Sequence, residues 1–142
     1  MNKKISTVWV AIAFLVLATT LFLLPGSSFP KQNWWTPFFK AIRVDKIVHA
    51  IIFFLLVYLW CKALHYRFQL VNRKHIFRFI LVIFISYGVL IEFVQENFID
   101  NRTFEGFDIL ADATGAVAGY ILAFKRFIKK ETPVETGVVN QN

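Results

Sequence analysis

Three observations predict an all-α membrane protein with four transmembrane helices in a compact bundle. Of the 142 residues, 57% are hydrophobic, above the roughly 45–50% apolar content of soluble domains. The mean hydropathy is +0.56. The apolar residues gather in four long runs with Lys and Arg flanking them, which is how membrane helices and their loops are written. The net charge of +7 then reads as positive-inside patterning, and no nucleic-acid partner is expected. A single cysteine, Cys61, excludes an internal disulfide and a CxxC metal or redox site.

The first run follows Lys3 and Lys4 and extends without a charge from Ile5 to Leu24, where Pro25 and Gly26 close it. About 20 such residues cross a ~30 Å hydrocarbon core. The leading lysines and Ala18 imitate a cleaved signal, but a signal's apolar region is about 7–15 residues, so a retained anchor is expected. In the next stretch, SSFPKQNWWTPFFKAIRV, Trp34 and Phe38, like Trp35 and Phe39, are four apart. A short helix there would present an aromatic face to the headgroup layer, and an interfacial loop is expected.

The second run spans about Val44 to Leu64, with Asp45, Lys46 and His49 at its beginning. The third begins near Ile76 and carries Glu92 and Gln95 at its end; the fourth starts at Asp108 and stops at Lys125 and Arg126. His65 and His75 fall in the basic loop between runs two and three and are expected to be solvated. Together the runs form one membrane domain over 1–130. The polar tail 131–142 lacks an apolar period and is expected to be disordered.

Orientation follows from Lys and Arg. Lys3, Lys4, Lys62, Arg67, Arg73, Lys74, Arg78, Lys125, Arg126, Lys129 and Lys130 would share one side; Lys31, Lys40, Arg43, Lys46 and Arg102 would share the other. The excess predicts both termini inside, with the acidic loop 96–107 outside.

Depth then groups the polar residues. An α-helix rises ~1.5 Å per residue, so the inner cation of each helix marks a zero. His49 lies 13 residues from Lys62, Asp112 lies 13 from Lys125, and Glu92 lies 14 from Arg78. Asp45, Gln95 and Asp108 each lie 17 from the same marks. Two polar layers are predicted, at about 20 and 26 Å. Within each helix the pairs Asp45/His49, Glu92/Gln95 and Asp108/Asp112 are three or four apart and share a face. Gly115 and Gly119 continue the face of the fourth helix, a GxxxG spacing suited to close helix packing.

Ionisable residues inside a membrane are costly and point to function. Asp45, Glu92, Asp108 and Asp112 carry −4 against +2 from Lys46 and Arg102, leaving −2 before His49 is counted. Carboxylates sharing a low-dielectric site repel, which favours a shared proton, a metal or a cationic ligand. Three readings follow. The ligand site would comprise Asp45, Lys46, His49, Glu92, Gln95, Arg102, Asp108 and Asp112, reached from outside, with Lys46 and Arg102 placed to hold a phosphate. A membrane hydrolase or transferase would use Glu92, Asp108, Asp112 and His49 in acid–base chemistry. A purely structural network would lock three helices together. No cofactor is predicted; a divalent metal, if bound, would draw on His49, Glu92 and Asp112.

These residues carry a resemblance. D-K-x-x-H at Asp45, Lys46 and His49, E-x-x-Q at Glu92 and Gln95, the following Arg102, and D-x-x-x-D-x-x-G-x-x-x-G at Asp108, Asp112, Gly115 and Gly119 resemble the VanZ-like family of small bacterial membrane proteins over roughly 45–122. Asp112 departs from it, since the family pattern more often shows Asn. The resemblance implies a multi-pass protein of the bacterial inner membrane and a cell-envelope role. The family takes its name from a member associated with low-level teicoplanin resistance. The ligand it implies is a lipid-linked cell-wall intermediate or a glycopeptide.

Overall fold

In a computed structural model the chain folds into helices, and the structure describes residues 3–25, 44–65, 67–99 and 104–129. Helix α1 is Lys3–Phe22, α2 is Val44–Leu64, α3 is Leu70–Phe98 and α4 is Gly106–Phe124, continued by a wider π-helical turn, Lys125–Lys129. The described residues contain no strand. Three stretches are long and apolar enough to cross a membrane: Asp45–Leu64, Asn72–Phe98 and Gly106–Lys129. Thr7–Phe22 is a shorter apolar helix. The aromatic stretch between α1 and α2, Arg102 and the tail lie outside the described residues.

The second helix has the predicted limits. The third starts at Leu70 rather than near Ile76. Its 29 residues make a helix of roughly 43 Å, longer than a ~30 Å core, so its first turns carry Asn72, Arg73 and Lys74 beyond the apolar zone. Hydropathy marks where a helix enters lipid, not where it begins.

The outward faces are apolar: Trp9, Leu17, Phe79, Val82, Leu90, Phe93, Leu110 and Ile121 are all exposed. So much exposed hydrocarbon suits lipid rather than water. The interior is built on Phe53, Leu56, Val57, Phe77 and Ala116, all fully buried.

Helix α4 packs most extensively on α2, and its sequence explains why. Its buried face reads Asp108, Asp112, Gly115, Ala116, Gly119, Ala123, small residues one turn apart. A Cβ at Gly115 would overlap the Ala50 carbonyl, and one at Gly119 would overlap that of Phe54. The predicted GxxxG face is therefore a seam of backbone against backbone. This seam fixes the height of Asp108 and Asp112 against Lys46 and His49.

At the opposite end the loop expectation for His65 fails. Its side chain is buried, stacked on Phe127 with ring centroids 4.3 Å apart, and its Nδ1 lies 2.6 Å from the Lys62 carbonyl. The π-helical turn buries Phe127 and Ile128, and Phe127 covers the imidazole. His75 is exposed, as expected.

Candidate functional site

The polar cluster that opens α2 meets the polar start of α4 at one end of the seam. The Lys46 ammonium lies 3.2 Å from Asp45 Oδ2 and 2.7 Å from Glu105 Oε2, and it also donates to Asp108 Oδ1. The Lys46 side chain is 14% exposed and that of Asp108 9%, whereas Asp45 and Glu105 are 56% and 50% exposed. The cluster forms a rim with one wall in protein and the other open.

Four residues further into α2 and α4 the environment closes. His49 Nδ1 is 3.0 Å from Asp112 Oδ1, and both side chains are buried. The Phe22 ring at the end of α1 lies against the imidazole, with centroids 4.7 Å apart. On the far side α3 contributes Gly88, where a Cβ would stand 2.9 Å from Asp112 Oδ2. Glycine is needed there so that α3 can approach the carboxylate.

Glu92 and Gln95 tie this centre to its neighbours. Glu92 is buried and accepts the backbone N–H of Glu105 at 2.5 Å, which holds the entry to α4 against α3. It also lies within electrostatic reach of His49, Asp108 and Asp112. Gln95, also buried, donates Nε2 to the Phe22 carbonyl at 2.7 Å. The last carbonyls of a helix have no intrahelical donor, and Gln95 supplies one.

The structure thus brings together six of the eight residues expected at the site; Gln95 bonds to the end of α1 instead, and Arg102 lies outside the described residues. The layers are rearranged. Asp45 and Asp108 meet through Lys46, but the third carboxylate on that ammonium is Glu105, while Gln95 turns to α1. In the deeper layer His49 and Asp112 bond directly, and Glu92 directs its hydrogen bond to the rim. The three acidic ligand atoms gathered within 4.8 Å of one another belong to Asp45, Glu105 and Asp108, with the Lys46 ammonium among them. They are not the His49, Glu92 and Asp112 considered for a metal.

Sequence reasoning missed Glu105, Phe22 and Gly88. Glu105 had a signal: it precedes Asp108 by three residues, so the start of α4 sets both on one side. Gly88 had a weaker one, as a lone glycine inside an apolar run. Phe22 had none, because an aromatic ending an uncharged helix looks like any lipid-facing residue.

From Lys46 an open groove of about 470 Å³ runs between α2 and α4 along Ile47, Ala50, Ile51, Phe54, Thr114, Gly115 and Ala118. Thr114 turns its hydroxyl to the Leu110 carbonyl at 2.7 Å. The wall beneath the ammonium is therefore apolar.

A family model described as VanZ/LLP1 matches residues 4–129. The chain belongs to the VanZ/LLP1 family. The match extends beyond the 45–122 resemblance to take in α1 and the π-helical turn. These VanZ/LLP1 segments carry Phe22 on the imidazole and Phe127 on His65. No curated protein and no solved structure matches the chain.

Proposed function

We propose that this VanZ/LLP1 protein is a multi-pass protein of the bacterial inner membrane, with four spans and both termini inside. It binds a cell-envelope amphiphile, lipid-linked or of glycopeptide type, through an outward-facing pocket. The observation that carries the reading is the continuity of the apolar groove with Lys46 and its carboxylates. A polar group followed by a hydrocarbon chain has the same order of chemistry, and hydrocarbon in contact with Ile47, Ile51 and Phe54 replaces bilayer contacts at little cost. Small Gly115 and Ala118 leave the room.

The test is lipid retention. Protein purified in mild detergent is expected to carry lipid quantifiable by mass spectrometry, and Ala118→Trp, which fills the groove, is expected to lower it severalfold. Equal retention by the two proteins would remove the groove from the reading. Cysteines introduced at 96–107 are expected to react with an impermeant reagent from outside the cell.

One observation favours a second reading, a hydrolase or transferase acting on lipid phosphate. Asp112 engages Nδ1 of His49, which orients the ring and leaves Nε2 for proton transfer. Turnover of a lipid phosphate that is lost in His49→Gln while lipid retention persists would establish it. Unchanged turnover would dismiss it.

A further inference from the structure

The proposed function puts a hydrocarbon chain in the groove, and the Lys46 cluster bears on what that chain is attached to. An ammonium has three N–H donors and no acceptor. Lys46 contacts three carboxylates, on Asp45, Glu105 and Asp108, so its donors are spent within the protein. A headgroup that ends in phosphate would find no free donor on Lys46 and, among the described residues, would meet three carboxylates against one ammonium. Of the two cations expected to hold a phosphate, Lys46 and Arg102, the described contacts of Lys46 favour a different role.

The carboxylates are not spent. Each offers about four lone-pair sites, and the side chains of Asp45 and Glu105 are half exposed. Lys46 takes Asp45 Oδ2 and Glu105 Oε2, so among the described residues Asp45 Oδ1 and Glu105 Oε1, at the head of the groove, have no donor, and an ammonium supplies one. We infer that the groove holds a phospholipid whose headgroup carries a primary ammonium, seated on Asp45 and Glu105, with one acyl chain along Ile47, Ile51 and Phe54.

The inference rests on the lipid-binding reading and can fail separately from it. The full-length protein would be exchanged into detergent containing equal amounts of phosphatidylethanolamine, phosphatidylglycerol and N-acetylated phosphatidylethanolamine with identical acyl chains. Retained lipid would then be counted by native mass spectrometry. Phosphatidylethanolamine is expected to exceed both others by about fivefold, the value of a partly exposed charge pair. Asp45→Asn combined with Glu105→Gln is expected to level the three.

The acetylated lipid removes the ammonium without altering the protein, so the comparison stands even if the double variant fails to fold. Phosphatidylglycerol or the acetylated lipid retained as well as phosphatidylethanolamine would overturn the ammonium assignment and leave lipid binding intact. Retention unchanged in Ala118→Trp would overturn both. A cross-linked dimer through the groove, with no lipid displaced, would assign the groove to a second copy and end the inference.

Discussion

The rim and the layer beneath it each set a basic side chain of α2 against an aspartate of α4, three or four residues apart along the same two helices, yet they are different environments. At the rim Lys46 shares three carboxylates, two of them half exposed. Beneath it, among the described residues, His49 has a single side-chain hydrogen-bond partner, Asp112, closed in by Phe22 and by the approach of α3 at Gly88. The half-exposed carboxylates of the rim, Asp45 and Glu105, can exchange water for a ligand with little loss. The buried pair cannot, because no solvent stands ready to replace a missing partner. Adaptable recognition belongs to the first, and fixed geometry to the second.

The largest expected effect comes from breaking the seam that sets both heights. Gly115→Leu would drive a side chain into the Ala50 backbone, where no rotamer relieves the overlap. Overpacking of a well-packed interior costs about 1–3 kcal/mol and sometimes more, and a backbone obstacle belongs at the upper end. Loss of folded protein in detergent, followed by thermal unfolding and size-exclusion chromatography, measures it. A Gly115→Leu protein as stable as wild type would mean that the seam does not hold the site.

Next is the buried pair. Asp112→Ala removes the partner of His49 Nδ1 inside a sealed layer, at an expected cost of about 1–3 kcal/mol for an orphaned buried polar group. Asp112→Asn keeps an acceptor oxygen near Nδ1 and is expected to cost less than the Ala variant. The comparison is read from midpoints of thermal unfolding. Equal midpoints for the Ala and Asn variants would show that the hydrogen bond is not what the layer depends on.

Much of this was legible in the sequence for physical reasons. Hydrocarbon and flanking charge are nearly one-dimensional signals, so α2 could be bounded at Val44 and Leu64. Rise per residue is constant, so counting from inner cations placed His49 level with Asp112. What depth counting does not give is the azimuth of each helix and the reach of each side chain. Gln95 stands level with Asp45 in a linear count, but its amide turns to the end of α1. Glu105 sits outside every apolar run, so a count made along those runs passes over it although it precedes Asp108 by three residues and shares Lys46 with it. His65 was misjudged because the turn that covers it closes from 62 residues away along the chain, at Phe127.

Gln95 measures how far the buried layer depends on α1. Gln95→Leu removes the donor to the Phe22 carbonyl while keeping similar bulk. Interhelical hydrogen bonds in membrane proteins average about 0.6 kcal/mol and reach about 1.7; a buried carbonyl left without its donor places this one toward the higher figure. The loss should also loosen Phe22 over His49, detectable as faster hydrogen exchange in the last turn of α1. Unchanged exchange there would mean that Phe22 is held by packing on Phe53, whose ring centroid lies 5.8 Å away, rather than by Gln95.

The smallest effect is expected at the rim, and its smallness is the point. Asp45→Asn removes one of three carboxylates from Lys46, the one at 3.2 Å and 56% exposed. Exposed ion pairs contribute about 0–1 kcal/mol, and Glu105 and Asp108 remain on the ammonium. Thermal stability should therefore move by no more than about 0.5 kcal/mol, less than for any substitution in the layer below. A rim built for fixed geometry would instead lose stability on the scale of Asp112→Ala. A rim built to trade contacts should tolerate the change in the empty protein and register it only when a ligand competes for the same oxygens.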